Sequence, residues 1–247
     1  MKYLFILFIL LISIIITPYI FFKVKNLCTI FKYPKTTNIY ANMIREIQLK
    51  AHCNKSPQIP ITKYIYYNKK ICGAISNNVL ILNGADTAIK ILIQLQGIFW
   101  RKPFYTSKIQ YEIKQIYNAI VPQIKTQNIH TITGWSLGAQ LALCVGIFLN
   151  REKQIIPNII IYGLPPIGNK AFSRLLTPLK SNIHCYNHPK DPLAYFPFGN
   201  NSASHFIYTL VDLYIPIKCN SHYEKIHHNT NSILSNYNRL IYHASYF

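Results

Sequence analysis

A mostly parallel β-sheet covered by helices on both faces is the architecture this sequence predicts, preceded by one apolar N-terminal helix. Three observations carry the prediction. In the second half of the chain, short β-rich runs alternate with stretches of helical periodicity, and such alternation means parallel strands joined by crossover helices. A glycine-flanked serine, Gly134-Trp135-Ser136-Leu137-Gly138, stands between one of those strands and an apolar helix. The segment from Tyr3 to Phe22 is uncharged and largely apolar, and a run of about 20 such residues is long enough to cross a bilayer.

That run ends in Pro18-Tyr19-Ile20-Phe21-Phe22 and then Lys23 and Lys25. It lacks the small-residue cleavage site of a secretory signal, so an uncleaved membrane anchor is expected, with secretion after cleavage as the alternative. Lys2 precedes the run, while Lys23, Lys25, Lys32 and Lys35 follow it, a bias that favours a cytoplasmic domain. In the opposite orientation two glycosylation sequons, Asn54-Lys55-Ser56 and Asn200-Asn201-Ser202, acquire meaning. Residues 1–35 are assigned to the anchor and its juxtamembrane segment and 36–247 to one undivided domain. With 50% hydrophobic residues in 247, that domain has enough apolar surface for a single core.

Thr36 to Lys50 has a composition compatible with a helix, and Asn54 to Pro60 is polar and proline-containing enough to be a loop. Ile61 to Tyr67, Ile71 to Ile75 and Val79 to Leu82 read as strands, separated by Asn68-Lys69-Lys70 and Ser76-Asn77-Asn78, as in an antiparallel meander. Ile89 to Trp100 is apolar and is followed by cationic Arg101 and Lys102 and by Phe104. That sequence suits a segment inserting at an anionic interface, and an ordinary core helix explains the same apolar residues. Ile109, Ile113, Ile116, Tyr117 and Ile120 recur at helical spacing; Asn128 to Thr133 then reads as a strand and Leu137 to Leu149 as an apolar helix. Ile159 to Tyr162 and Ile183 to Tyr186 are further buried strands, with a helix over Asn169 to Leu176 between them.

The formal net charge of +19, from 26 Lys and Arg against 7 Asp and Glu, favours anionic surfaces. An acidic lipid headgroup and nucleic acid are both candidates on charge alone, and an AT-rich genome would produce the same lysine and asparagine excess. No nucleic-acid-binding motif accompanies the charge, so no specific nucleic-acid partner is expected. Cys28, Cys53, Cys72, Cys144, Cys185 and Cys219 form no C-x-x-C pair, which argues against a zinc site. Cys144 lies in the apolar helix and reads as a core residue. Cys53, Cys72, Cys185 and Cys219 are available for disulfides in an extracytoplasmic domain.

Chemistry concentrates at Ser136. A tight turn from strand to helix tolerates little more than hydrogen two positions either side of the serine, which accounts for Gly134 and Gly138. The hydroxyl then projects above the sheet at a helix N-terminus, where free N–H groups and the dipole favour a developing oxyanion. The plainer alternative is a serine that caps the helix. As a nucleophile the serine needs a histidine to take its proton and an acid to orient the imidazole, in the chain order serine, acid, histidine. Glu152, Asp191, Asp212 and Glu224 are the acids that follow Ser136. Glu152 ends the nucleophile's own helix, whereas Asp191 comes just after the strand ending at Tyr186, at the carboxyl edge where such acids lie. Asp212, in an apolar strand-like stretch, is the reserve. Among His205, His222, His227, His228 and His243, His222 follows polar Asn220-Ser221 in a loop-like position and is the preferred base, with His205 as runner-up.

Three blocks resemble the class 3, fungal-type triacylglycerol lipases of the α/β-hydrolase fold. Ile132 to Ala142 is similar to the family's nucleophile block, which usually has His at the position of Trp135. Ile161 to Phe172, with Gly163-Leu164-Pro165 and Ile167-Gly168-Asn169, resembles its next strand and loop. Asp191-Pro192-Leu193 through Phe196-Pro197 resembles the segment holding the triad acid. Val79 to Thr87 looks like the strand into the oxyanion loop, with Ala85 in place of the family's Thr or Ser, so the backbone N–H groups of Ala85 and Leu137 would form the oxyanion hole without a side-chain donor, or with Thr87 as substitute. The resemblance implies a lipid ester hydrolase with the triad Ser136, Asp191 and His222, a lid within Ile89 to Trp100, and no metal or organic cofactor. A phospholipase or thioesterase on the same fold, or a membrane-anchored binding protein on a degenerate one, are the alternatives.

Overall fold

The computed structural model describes residues 38–85, 101–187 and 220–221. Helix α1 (Ile39–Cys53) leads into β1 (Lys63–Tyr67), β2 (Lys70–Ser76) and β3 (Val79–Leu82). A hairpin of β4 (Arg101–Phe104) and β5 (Ser107–Gln110) precedes α2 (Tyr111–Ile124), β6 (Thr131–Trp135) and α3 (Leu137–Lys153). Then come β7 (Asn158–Tyr162), α4 (Lys170–Leu175), a 3-10 turn (Thr177–Asn182), β8 (Ile183–Asn187) and β9 (Asn220–Ser221).

One mixed sheet runs β1-β2-β3-β6-β7-β8-β9. Its first three strands are an antiparallel meander, and from β3 onward every pairing is parallel. Both meander turns are two residues long. Asn68-Lys69 and Asn77-Asn78 all have positive φ, the conformation that matches the twist of paired strands and that asparagine tolerates well. The expected strands, turns and crossover helices are therefore present, with Lys70 and Ser76 inside the strands rather than in the turns.

The sheet buries both faces. On one, Ile44 and Ile47 of α1 pack with Ala74, Ile81, Trp135, Ile160 and Tyr162. On the other, α2 and α3 cover Leu80, Leu82, Ile132, Ile159 and Ile161. Every residue of α3 from Leu137 to Leu149 is buried, as expected of a helix that is apolar all round. Cys144 is among them, and burial pushes its thiol well above the ordinary cysteine range. Asn38 starts α1 by accepting hydrogen bonds from the N–H groups of Tyr40 and Ala41.

Three expectations need correction. Ile109 is a strand residue, not the first turn of α2, because β5 bridges to Gly168 and the Gln110 N–H donates to the Ile167 carbonyl. Phe104 does not face an interface: it is fully buried, with its ring 5.0 Å from that of Tyr117 and 5.8 Å from that of Phe172. Cys72 is not disulfide-bonded, its Sγ donating to the Ile65 carbonyl at 3.4 Å, whereas Cys53 and Cys185 are disulfide-bonded. Among the described residues no helix is long and apolar enough to cross a membrane. The run from Tyr3 to Phe22 and the stretch from Ile89 to Trp100 lie outside those residues.

Candidate active site

β6 ends at Trp135 and α3 begins at Leu137, so a single residue, Ser136, makes the whole turn. It does so at φ 56° and ψ −118°, a conformation that costs a non-glycine residue roughly 1–3 kcal/mol and persists only where the surroundings impose it. Here they do. The Ser136 N–H donates to the Tyr162 carbonyl of β7 at 3.0 Å, and its own carbonyl accepts from the Ala139 and Gln140 N–H groups at 3.0 and 3.2 Å. The Ser136 side chain makes no capping hydrogen bond to α3, which removes the reading of this serine as a helix cap.

The glycines are explained by contact. A methyl on Gly134 would lie 2.3 Å from the Gly138 carbonyl oxygen, and one on Gly138 would lie 2.1 Å from the Leu82 carbonyl oxygen. The first turn of α3 is thereby pressed against the end of β3, whose Leu82 pairs with Gly134 in parallel register. From the other side the Trp135 ring covers Gly84, where a methyl would meet it at 2.3 Å. Trp135 and Gly84 thus form a clamp on the segment leading to Ala85. The motif itself offered a signal for this, since the residue before the serine alternates to the face opposite Gly134.

Ala85 is buried in the same cluster as Leu137 and Ala139, three residues beyond the end of β3. Leu137 is the first residue of α3, and its N–H is one of those that a helix leaves without an internal partner. Of the two expected oxyanion residues, Leu137 therefore stands at the N-terminus of α3, and Ala85 is buried in the core cluster that includes it. Buried polar groups fix the neighbouring loop. Gln140 and Gln110 each donate from Nε2 to the Pro166 carbonyl, at 2.8 and 3.0 Å, and Asn187 Oδ1 accepts from the Leu164 N–H at 2.9 Å. These three amides were not singled out in the sequence, where a buried glutamine or asparagine looks like a surface one.

Of the acids considered, Glu152 lies in the last turn of α3, at the opposite end of that helix from Ser136, and accepts a hydrogen bond from the Tyr105 hydroxyl at 3.3 Å. Asp191, Asp212, Glu224 and all five candidate histidines, His222 included, lie outside the described residues, as does Thr87. Among the described residues no group of His, Cys, Asp or Glu is arranged to hold a metal ion.

The family model for class 3 lipases matches residues 68–201, just over half of the chain, and spans the elbow, the β3 exit and Asp191. The chain belongs to the class 3 lipase family. As a class 3 lipase it is a carboxylic ester hydrolase, and lipid esters are the family's substrates. No curated protein matches it in sequence. Among solved structures it is similar to a lipase from Rhizopus microsporus var. chinensis, at 19% identity and TM-score 0.49, with 64% of this chain and 67% of that one covered. It is also similar to a lipase from Yarrowia lipolytica, at 16% identity and TM-score 0.49, covering 64% and 72%. A triacylglycerol lipase from Penicillium expansum gives 15% identity, TM-score 0.46, and coverage of 66% and 74%.

Proposed function

We propose that this class 3 lipase cleaves acylglycerol-type lipid esters through a triad of Ser136, Asp191 and His222. The strained backbone of Ser136 between β6 and α3 is the observation that carries the reading, because a nucleophile elbow is what such a conformation serves. His222 takes the Ser136 hydroxyl proton as the oxygen attacks the ester carbonyl carbon. The tetrahedral oxyanion is held by the N–H groups of Ala85 and Leu137. Asp191 orients the imidazole and stabilises its charged form, which then protonates the departing alcohol. Water, activated by the same histidine, releases the fatty acid and regenerates the serine. The chemistry calls for no metal or organic cofactor.

Residues 36–247 constitute the catalytic domain in this proposal, and residues 1–35 attach it to a membrane through the apolar run from Tyr3 to Phe22. A membrane-tethered lipase works on a substrate already concentrated at its own surface, consistent with a lipid-interface partner.

A fluorophosphonate probe on the full chain tests the nucleophile. Wild type should carry the covalent label on the Ser136 peptide and Ser136→Ala should carry none, while His222→Ala and Asp191→Ala should lose turnover without unfolding. A folded wild-type protein that takes no label would refute the mechanism, and an active His222→Ala protein would move the base to another histidine.

A further inference from the structure

We propose that Asn54 is an N-glycosylation site and that the domain accordingly folds in an oxidising, extracytoplasmic compartment. Two independent observations meet at this position. The first is covalent. Cys53 and Cys185 are both disulfide-bonded, yet Cys53 packs against the cluster on the α1 face of the sheet and Cys185 lies in the cluster on the opposite face. They therefore belong to different bridges. Two bridges in one domain are the mark of the secretory pathway or the cell exterior, since cytosolic thiols are kept reduced. This outweighs the lysine bias around Tyr3 to Phe22, which is a statistical preference.

The second observation is the sequon. Asn54-Lys55-Ser56 is an N-x-S acceptor, and all three residues are exposed. Asn54 sits just past α1 in the left-handed conformation, φ 51°, which asparagine adopts more readily than most residues. Its side-chain oxygen accepts from Lys50 Nζ at 3.1 Å, and its amide nitrogen makes no hydrogen bond among the described residues. A glycan on that nitrogen displaces no packed side chain, and a bulky polar group is tolerated only on such a surface. In the transfer, the Asn54 amide nitrogen bonds to the anomeric carbon of an oligosaccharide carried on a lipid diphosphate. The bond from that carbon to the diphosphate oxygen breaks, the lipid diphosphate leaves, and the nitrogen gives up one proton.

The test is translation of the full chain in the presence of endoplasmic-reticulum microsomes, followed by glycan removal with an amidase in heavy-oxygen water and peptide mass spectrometry. Asn54 should be recovered as heavy-labelled Asp, and the Cys53 and Cys185 peptides should resist alkylation until reduced. Ser56→Ala should abolish the label at Asn54 and Ser56→Thr should retain it, with neither altering the backbone at position 54; Asn200→Gln separates any signal from the second sequon. Unmodified Asn54 with both disulfides formed would overturn the site. Free, alkylatable Cys53 and Cys185 with unmodified Asn54 would overturn the compartment as well.

Discussion

Ser136 pays for its geometry in stability, and that cost is measurable apart from catalysis. Its φ of 56° and ψ of −118° cost a side-chain-bearing residue roughly 1–3 kcal/mol. Ser136→Gly removes the hydroxyl and the strain together, whereas Ser136→Ala removes the hydroxyl alone. Both should be inactive, and denaturant unfolding should find the glycine variant more stable than the alanine variant by about 1 kcal/mol, a figure trimmed by the extra unfolded-state entropy of glycine. Equal stabilities would mean that the turn imposes no strain. In the proposed oxyanion hole Ala85 makes the opposite case, a position without a side-chain donor. Adding a hydroxyl by Ala85→Ser supplies one more oxyanion donor, and a donor of this kind is worth about 10²–10³ in kcat. Steady-state kinetics on a short-chain ester should show kcat raised toward that range with little change in KM; an unchanged kcat would place the side chain away from the oxyanion. Ser136, Gly134 and Gly138 were legible in the sequence because steric demand leaves so little choice at those positions. The face of Trp135 was legible from strand alternation, but its partner Gly84 was not, since nothing in a linear reading pairs a ring with a glycine 51 positions earlier.

The elements divide in the same way. Strands β3, β6 and β7 and helix α3 follow from hydrophobic pattern because they are buried, and the local signal agrees with the tertiary environment; β8 is a strand as expected but only partly buried, with Cys185 and Asn187 inward and His184 exposed. The β4-β5 hairpin is not legible in the sequence because its decisive partners are remote. Asn169 Oδ1 accepts from the Lys108 N–H, the Asn169 N–H donates to the Lys108 carbonyl, and Gly168 bridges Ile109. Arg101-Lys102-Pro103-Phe104 looks like a cationic rim in sequence, yet Phe104 is the ring on which the hairpin docks. It packs edge-on against Tyr105 and Tyr117, and Lys114 Nζ sits 5.2 Å above it. Phe104→Ala should therefore behave as a core deletion and cost about 3–5 kcal/mol in denaturant unfolding. Loss of less than 1 kcal/mol would return Phe104 to the surface role that the sequence suggested.

At the scale of the whole molecule, charge and apolar anchoring make separable predictions about how the enzyme meets lipid. The net positive charge of 19 is what remains after all seven acidic side chains are counted, among them Glu46, which forms an ion pair with Arg45 at 3.2 Å on α1 with both side chains largely buried. Most of the field is therefore available to an anionic surface, and it is screened over about 10 Å at 0.1 M salt and about 3 Å at 1 M. Insertion of the run from Tyr3 to Phe22 depends on burying hydrocarbon and is not weakened by salt in this way. Flotation of the protein with vesicles at rising ionic strength distinguishes the two. A chain lacking residues 1–35 should bind vesicles rich in anionic lipid at low salt, release them toward 1 M, and ignore zwitterionic vesicles throughout. The full chain should stay on both kinds at every salt concentration. If the shortened chain binds anionic and zwitterionic vesicles equally, the positive charge has no part in lipid recognition, and the lysine excess is a matter of composition rather than of interface binding.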